Sequence, residues 1–290
     1  MNTVPSTSDL SHTNPVSTWK TVAFQGVAGA YAHIAAQQAV PHATAIPCES
    51  FAAAIKLVES GQADGAVLPV ENSTMGRIAD IHALLPHTPL HIVAETYLPI
   101  NHCLIGLKGA EISQIKRVYS QSPAIQQCIN TLNSMGLAHE NYIDTAGSAK
   151  LVAEKQDPSL AALASSLAAE VYDLHVLKTP MNDEPNNITR FLLLGPQAWT
   201  PPADQPTKTT LLFRVRDIPA ALYKALGGFA TNGLNLSRLE SYLVGGNFKA
   251  AEFFIDVESH PNAKPMQNAL EELSHFTTSV RLMGVYPAAH

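Results

Sequence analysis

The stretch Asn186-Asn187-Ile188-Thr189-Arg190-Phe191 leads from a polar loop into the apolar run Leu192-Leu193-Leu194. It places two amides, a hydroxyl and a guanidinium within five residues. A guanidinium offers a planar fork of donors that suits a carboxylate, and the amides and hydroxyl can complete a polar pocket around a small anion. Asn and Asp also favour turns for backbone reasons, so a plain turn before a strand is the alternative.

The composition of the 290-residue chain is that of an ordinary compact protein, with 46% hydrophobic and 14% charged residues. The formal net charge is −6 and the basic residues are scattered, so no nucleic-acid partner is expected. No apolar run approaches the roughly 18 residues of a membrane span. Residues 1–19 lack the pattern of a signal peptide. They are expected to form a disordered tail on a cytoplasmic protein.

The cysteines and histidines do not predict a metal site. Three cysteines lie far apart in apolar or helical contexts, which predicts buried free thiols: Cys48, Cys103 and Cys128. His87 and His91 have the spacing of helical metal ligands, but Pro86 and Pro89 disfavour a helix there. No other pair of Cys or His residues has zinc-like spacing.

The chain from 20 to 195 alternates short apolar runs with helical patterns, which predicts an α/β fold with parallel sheets. Predicted strands cover 21–24, 65–70, 103–106, 117–120, 142–145 and 160–165. Predicted helices cover 30–40, 50–59, 78–85, 123–133, a segment from 147, and 167–172. Two such groups predict two lobes with a cleft between them, the second lobe spanning about 99–178, so that 186–190 crosses the hinge.

Polar residues follow several of these strands, where open α/β sheets bind ligands. They include Glu71-Asn72-Ser73-Thr74, Thr145 and Ser165. Ser73 or Thr74 could cap the helix at 78–85, while Glu71 and Asn72 point into the cleft. Each polar residue alone is explained by a helix cap. Together they could form one ring of hydroxyls, amides and backbone N–H groups.

These motifs resemble those of the prephenate dehydratase family. The run 187–191 is similar to the family's Thr-Arg-Phe signature, and 68–73 resembles its Pro-hydrophobic-Glu-Asn-Ser motif. The run 26–31, which includes Gly29, is similar to its Gly-x-x-Gly opening, and 144–149 to its Asp-Thr-Ala motif. The resemblance covers nearly all of 21–286, in the family's order.

The resemblance implies a two-lobed fold like that of periplasmic binding proteins. It also implies an active site in the cleft, where prephenate loses carbon dioxide and its ring hydroxyl together to give phenylpyruvate. Aromatisation drives this reaction, so no cofactor is expected. Thr189 is expected to donate a hydrogen bond or relay a proton to the departing hydroxyl. Glu71 is the alternative acid, provided that burial favours its protonated form.

Substrate binding is also assigned through the resemblance. Arg190 is expected to bind a substrate carboxylate bidentately, or alternatively to pair with a carboxylate between the lobes. The other expected substrate-binding residues are Phe191, Asn72, Ser73, Asn187, Thr145, Ser165 and Gly29. The chain departs from the family at 120–124, where Ser-Gln-Ser-Pro-Ala replaces Ser-His-Pro-Gln-Ala, and at Ala32-His33, where the family has Ser/Thr-Glu.

The C-terminal third has a different pattern. A proline-rich linker at 196–207 precedes a predicted β-α-β-β-α-β order over 208–287, with a hairpin across Gly245-Gly246. This resembles an ACT regulatory domain, which binds phenylalanine at a dimer interface in many prephenate dehydratases. A homodimer or higher homo-oligomer is therefore expected.

Regulation and substrate identity stay open in the sequence. The family's Gly-Ala-Leu and Glu-Ser-Arg-Pro motifs correspond here to 220–222, Ala-Ala-Leu, and 240–243, Glu-Ser-Tyr-Leu. The candidate effector residues are Ala221, Leu222, Asn235, Leu236, Glu240 and Ser241, and a domain used only for dimerisation is the alternative. Arogenate is the alternative substrate, and a non-catalytic binding protein is a more distant alternative.

Overall fold

The computed structural model describes residues 13–244 and 247–289. The chain divides into two units. The central unit comprises Trp19–Thr88 and Thr96–Leu192, and the terminal unit comprises Met1–Thr18, Pro89–Glu95 and Leu193–His290. Within the described ranges, no helix is long and apolar enough to cross a membrane.

The chain contains both helices and strands, and the strands form two sheets with parallel and antiparallel pairs. This confirms the α/β class. The strands are β1 Thr21–Gln25, β2 Thr44–Cys48, β3 Gly65–Asn72, β4 Gly76–Arg77, β5 His91–Pro99, β6 Cys103–Gly106, β7 Arg117–Ser120, β8 Ala138–Asn141, β9 Leu160–Ala164, β10 His175–Lys178, β11 Ile188–Gly195, β12 Thr207–Val215, β13 Leu236–Val244, β14 Asn247–Val257 and β15 Thr277–Pro287. The helices are α1 Tyr31–Ala39, α2 Phe51–Glu59, α3 Ala79–Leu84, α4 Ser122–Gln126, α5 Ile129–Ser134, α6 Thr145–Lys155, α7 Ser166–Val171, α8 Ala221–Thr231 and α9 Lys264–Phe276, and short 3-10 turns cover Pro15–Thr18 and Ile112–Gln114.

The first lobe of the central unit is built on the strand order β11-β3-β1-β2. Strand β1 pairs in parallel with β2 and with β3. Its central residues Val22, Ala23 and Phe24 are buried, as expected for a strand covered on both faces. The short strand β4 pairs antiparallel with the end of β3, opposite Glu71 and Asn72.

The second lobe is a sheet in the order β10-β6-β9-β7-β8. Strand β7 pairs in parallel with β8 and β9, but β6 runs antiparallel to β9 and β10. The lobe is therefore mixed rather than parallel throughout, which corrects the sequence-based expectation. Its core is rich in alanine and leucine from β9 and the helices that cover the sheet.

The terminal unit has the strand order β13-β14-β12-β15-β5. Strands β12, β13, β14 and β15 pair antiparallel, and β15 pairs in parallel with β5 through Gly284 and Ile92. A Cβ atom on Gly284 would lie 2.1 Å from the carbonyl oxygen of Ile92, so glycine is needed there. Helices α8 and α9 contribute Phe229, Met266 and Leu273 to the core of this unit.

The terminal unit also buries a set of polar side chains, the sheet cluster: Lys208, Glu95, Thr210, Asp256 and Tyr286. Lys208 Nζ lies 2.8 Å from Glu95 Oε1, which also accepts the backbone N–H of Ala289. Thr210 Oγ1 donates to Asp256 Oδ1 at 2.6 Å and lies 2.8 Å from the Tyr286 hydroxyl. Because the Thr210 proton is used by Asp256, Tyr286 is the donor to Thr210.

Several predicted elements differ from the structure. The segment predicted as one helix at 123–133 forms two helices, α4 and α5. The strand predicted at 142–145 lies earlier in the chain, as β8, which ends at Asn141. Ser73 and Thr74 do not cap α3, since Ile78 is its N-cap residue and makes no side-chain cap.

The N-terminal prediction is also corrected in part. Residues 1–12 of the predicted tail lie outside the described residues, as does the predicted hairpin turn Gly245-Gly246. Pro15–Thr18, however, form a 3-10 turn, and Trp19 is buried. A Cβ atom on Gly65 would lie 2.3 Å from the Trp19 ring, which therefore packs directly on β3.

Candidate active site

The central unit contains a cavity of about 830 Å³ with lining residues from both lobes. This volume is in the range of small-molecule sites. Four of the residues predicted for the site line it: Asn72, Thr145, Thr189 and Phe191. Thr189 and Phe191 reach it from β11, Asn72 from the end of β3, and Thr145 from the first turn of α6.

Three helices of nine or more residues begin at the wall of this cavity: α1 at Tyr31, α2 at Phe51 and α6 at Thr145. A helix N-terminus carries partial positive charge and N–H groups without intrahelical partners. Ser50 caps α2 and Asp144 caps α6, whereas α1 has no side-chain cap. The first turn of α1 thus retains N–H groups that can bind an anion.

The Asn72 side chain has a fixed orientation. Its Oδ1 accepts the backbone N–H groups of Thr74 at 3.0 Å and Met75 at 2.9 Å, which only the carbonyl end of the amide can do. The Nδ2 end must therefore face the other way. It donates to Asn187 Oδ1 at 2.7 Å and to Thr189 Oγ1 at 2.9 Å.

This orientation decides the role of the Thr189 hydroxyl. The oxygen accepts from Asn72, so the Thr189 proton is left to be donated elsewhere. Within the described part of the chain, Thr189 has no acceptor for that proton, and the side chain lines the cavity. A bound molecule with an acceptor oxygen can receive it.

The directions of the hydrogen bonds made by Asn187 and His102 follow from the orientation of Asn72. Asn187 Nδ2 donates to Gln127 Oε1 at 3.0 Å, and His102 Nε2 lies 2.9 Å from the same oxygen, so His102 Nε2 carries a proton. His102 Nδ1 lies 2.9 Å from the hydroxyl of Tyr31. Burial lowers the pKa of His102, which favours the neutral ring, and its Nδ1 faces the Tyr31 hydroxyl, which also donates to the carbonyl of Asn101 at 2.9 Å. We call Asn72, Asn187, Thr189, Gln127 and His102 the cavity cluster.

Sequence reasoning missed Tyr31, His102 and Gln127, all of which line the cavity. Gln127 lies where α4 ends, within a segment that the pattern predicted as one continuous helix. The carboxylate of Asp183 accepts the N–H groups of Asn130 and Thr131 and so starts α5 separately. No local signal in 123–133 indicates a partner more than 50 residues away.

Arg190 and Glu71 are not among the residues that line the cavity. Arg190 is buried between Thr189 and Phe191, which do line it, and successive strand residues point to opposite faces. Glu71 is half-buried on β3 and lies directly opposite Arg77 of β4. The substrate-binding role of Arg190 and the acid role of Glu71 therefore stay predictions.

Ser73, Ser165 and Gly29 also lie outside the cavity wall and join segments of the unit. Ser73 Oγ donates to the carbonyl of Asn186 and accepts the N–H of Ile188, so it ties the end of β3 to β11. Ser165 caps α7 and donates to the carbonyl of Gly29 at 2.6 Å. Gly29 has φ +87° and lies against Ala168, so this contact joins the two lobes.

The candidate effector residues belong to the terminal unit. Ala221 and Leu222 begin α8, and Leu236, Glu240 and Ser241 lie on β13. The side chain of Asn235 donates to Glu258 at 2.7 Å, and Glu240 lies 3.6 Å from Arg238.

Comparison with known proteins finds similar sequences and structures over most of the chain. The family model of prephenate dehydratase matches residues 22–198. A bifunctional N-acyl-homoserine lactone acylase/prephenate dehydratase of Komagataeibacter europaeus is 44% identical over 269 residues, 92% of this chain and 96% of the relative. An Arabidopsis thaliana arogenate dehydratase/prephenate dehydratase is 39% identical over 280 residues, 92% of this chain and 71% of the relative.

Among solved structures, the prephenate dehydratase of Arthrobacter aurescens in complex with L-Phe is 32% identical, with a TM-score of 0.85 over 93% of this chain and 90% of the other. Both the sequence and the fold therefore agree over nearly the whole chain. The chain belongs to the prephenate dehydratase family.

Proposed function

We propose that this chain converts prephenate to phenylpyruvate by removing carbon dioxide and the ring hydroxyl in one elimination. The electron pair of the breaking bond to the carboxylate forms the new ring double bond, and the hydroxyl leaves as hydroxide, which takes one proton from solvent to become water. Formation of the aromatic ring drives the reaction, so the protein needs to bind the dianion and to stabilise the departing oxygen.

One observation carries this proposal: the Thr189 hydroxyl accepts from Asn72 and has its own proton free at the cavity. An alcohol is a weak acid, so we assign Thr189 a hydrogen bond to the departing hydroxyl rather than full proton transfer. A preorganised donor of this kind is worth about 10²–10³ in kcat when it meets the developing charge. Thr145 and Phe191, which also line the cavity, are proposed to contact the substrate.

Arogenate is the second candidate substrate, because plant relatives carry that name and the same elimination would yield phenylalanine. Arogenate differs from prephenate by an ammonium group in place of the keto oxygen. The experiment is turnover of both substrates side by side at neutral pH, with phenylpyruvate and phenylalanine measured separately. A higher kcat/KM for prephenate supports the proposal, and turnover of neither substrate would overturn it.

The acylase activity named for the Komagataeibacter relative calls for a further arm of this assay, with an N-acyl-homoserine lactone. Of the hydroxyl and thiol groups in the described cavity wall, Tyr31 alone is hydrogen-bonded to a histidine. Burial raises the pKa of this phenol well above its usual value, which makes it a poor nucleophile. We therefore expect no amide hydrolysis from this cavity.

Regulation by phenylalanine is a further part of the proposal. The terminal unit has the β-α-β-β-α-β order of an ACT domain, and a relative's structure was solved with L-Phe. We propose that two chains pair through this unit and bind phenylalanine near Ala221, Asn235 and Glu240. Initial rates at millimolar phenylalanine test this proposal, and unchanged rates would leave dimerisation as the role of the unit.

A further inference from the structure

The cavity has a single Lys or Arg among its described lining residues, Arg77. His102 adds no full charge at neutral pH, because burial lowers its pKa. Arg190 lies elsewhere. We infer that Arg77 binds the carboxylate that the substrate retains through the reaction, an inference that rests on the proposed function.

The retained carboxylate is the better partner for a cation than the one that leaves. The ring carboxylate departs as neutral carbon dioxide, so a cation on it would stabilise the reactant more than the transition state. The side-chain carboxylate keeps its charge throughout the reaction. A cation there contributes equally to binding the reactant and the transition state, which lowers KM and leaves kcat unchanged.

The positions of Arg77 and Thr189 suit this assignment. Thr189 is buried and Arg77 is exposed, and both line the cavity. Strand β4, which holds Arg77, pairs with the end of β3, which holds Asn72. In this assignment, a substrate whose ring hydroxyl meets Thr189 extends its side chain towards Arg77.

Glu71 gains a different role from the predicted one. It lies directly opposite Arg77 across the antiparallel pair of β3 and β4, where opposite charges stabilise each other. Glu71 is then a positioning residue that orients the guanidinium rather than an acid in the elimination. Loss of this carboxylate should raise KM, whereas loss of an acid would lower kcat.

Arg77 also gives a physical reason for preferring a keto acid. Arogenate carries an ammonium group on the carbon next to the same carboxylate, close to the guanidinium. Repulsion between these two cations weakens arogenate binding relative to prephenate. Removal of the positive charge should therefore weaken prephenate binding more than arogenate binding.

The test compares Arg77→Gln, Arg77→Lys and Glu71→Gln with the control Arg117→Gln, which alters an exposed arginine outside the cavity. For Arg77→Gln we expect KM for prephenate to rise about tenfold or more, the effect of one charged hydrogen bond. We expect kcat within threefold of wild type. Arg77→Lys should keep part of the affinity, and Arg117→Gln all of it.

Calorimetry with phenylpyruvate identifies the carboxylate, because this product keeps only the side-chain group. Its Kd should rise in Arg77→Gln by the same factor as KM. An unchanged phenylpyruvate Kd, or a loss expressed in kcat alone, would overturn the inference. If the wild-type protein turns over prephenate and Arg77→Gln has the same KM, the inference about Arg77 is overturned and the proposed function stands. If the wild-type protein does not turn over prephenate, the proposed function is overturned as well.

Discussion

The cavity cluster of the central unit and the sheet cluster of the terminal unit bury similar polar groups but use them differently. In the sheet cluster, Thr210 donates to Asp256 and accepts from Tyr286, so both capacities of its hydroxyl are used inside the protein. In the cavity cluster, Thr189 only accepts, from Asn72. The difference separates a hydroxyl that holds the fold together from one that is available to a ligand.

The largest effect is expected from the sheet cluster. Lys208→Met leaves Glu95 buried without its cation, which costs about 3–5 kcal/mol in the free energy of unfolding. Chemical denaturation of the full chain measures this loss. The double variant Lys208→Met/Glu95→Met should recover most of it, because both charges are then gone. A single variant as stable as wild type would show that this pair does not hold the sheet.

Thr189→Val and Thr210→Val form a matched pair that tests the comparison directly. Thr189→Val should lower kcat about 10²–10³-fold with a folded chain, because the departing oxygen loses its donor. Thr210→Val should keep kcat and lower the free energy of unfolding by about 1–3 kcal/mol, because two buried groups lose their shared partner. Steady-state kinetics and chemical denaturation of both variants measure these effects. Equal kcat values for the two variants would contradict different roles for the Thr189 and Thr210 hydroxyls.

Asn72→Asp sharpens the comparison by changing one atom of the cavity cluster. An oxygen in place of Nδ2 would accept the Thr189 proton instead of donating to Thr189, which turns that proton away from the cavity. We expect kcat to fall about 10²-fold, the lower end of the range for loss of one preorganised donor. Circular dichroism checks the fold. A variant with wild-type kcat would contradict the assigned polarity.

The smallest effect concerns His33, whose Nδ1 accepts the N–H of Gly29. Burial lowers the pKa of His33 from 6.5, so below about 6.5 the unfolded chain binds a proton that the folded chain does not. The free energy of unfolding therefore falls as the pH drops from 7 to 5. His33→Gln keeps an acceptor but does not titrate, and should show a shallower fall.

Other groups in that window are the histidines His91 and His102, whose pKa values burial also lowers, so part of the slope remains in the variant. Asp64 and Asp183 have lowered pKa values, so they change the free energy of unfolding only below about pH 4. Denaturation at several pH values tests this prediction, and an identical slope in wild type and variant would contradict it.

The sequence predicted the parts of the site that depend on a single strand. The apolar run of β3 ends at Asn72 and that of β11 begins beside Thr189, so both residues could be identified from local patterns. The alternation along β11 places Arg190 on the face opposite to that of Thr189 and Phe191, since neighbours in a strand face opposite sides.

Contacts between distant segments could not be read in the same way. Gln127 meets Asn187 across 60 positions, and His102 meets Tyr31 across 71. These contacts depend on how the two lobes pack, which no periodicity within one segment describes. The same holds for Glu71, whose position opposite Arg77 follows from the pairing of β3 and β4.

The most direct test of the central claim is a double-mutant cycle on kcat with prephenate, using Asn72→Asp, Thr189→Val and the double variant. If Asn72 acts by orienting the Thr189 hydroxyl, Asn72→Asp should cost nothing further once that hydroxyl is gone. The double variant should then turn over as slowly as Thr189→Val. Losses that multiply in the double variant would show that the two residues act independently, which contradicts a Thr189 proton directed to the substrate by Asn72.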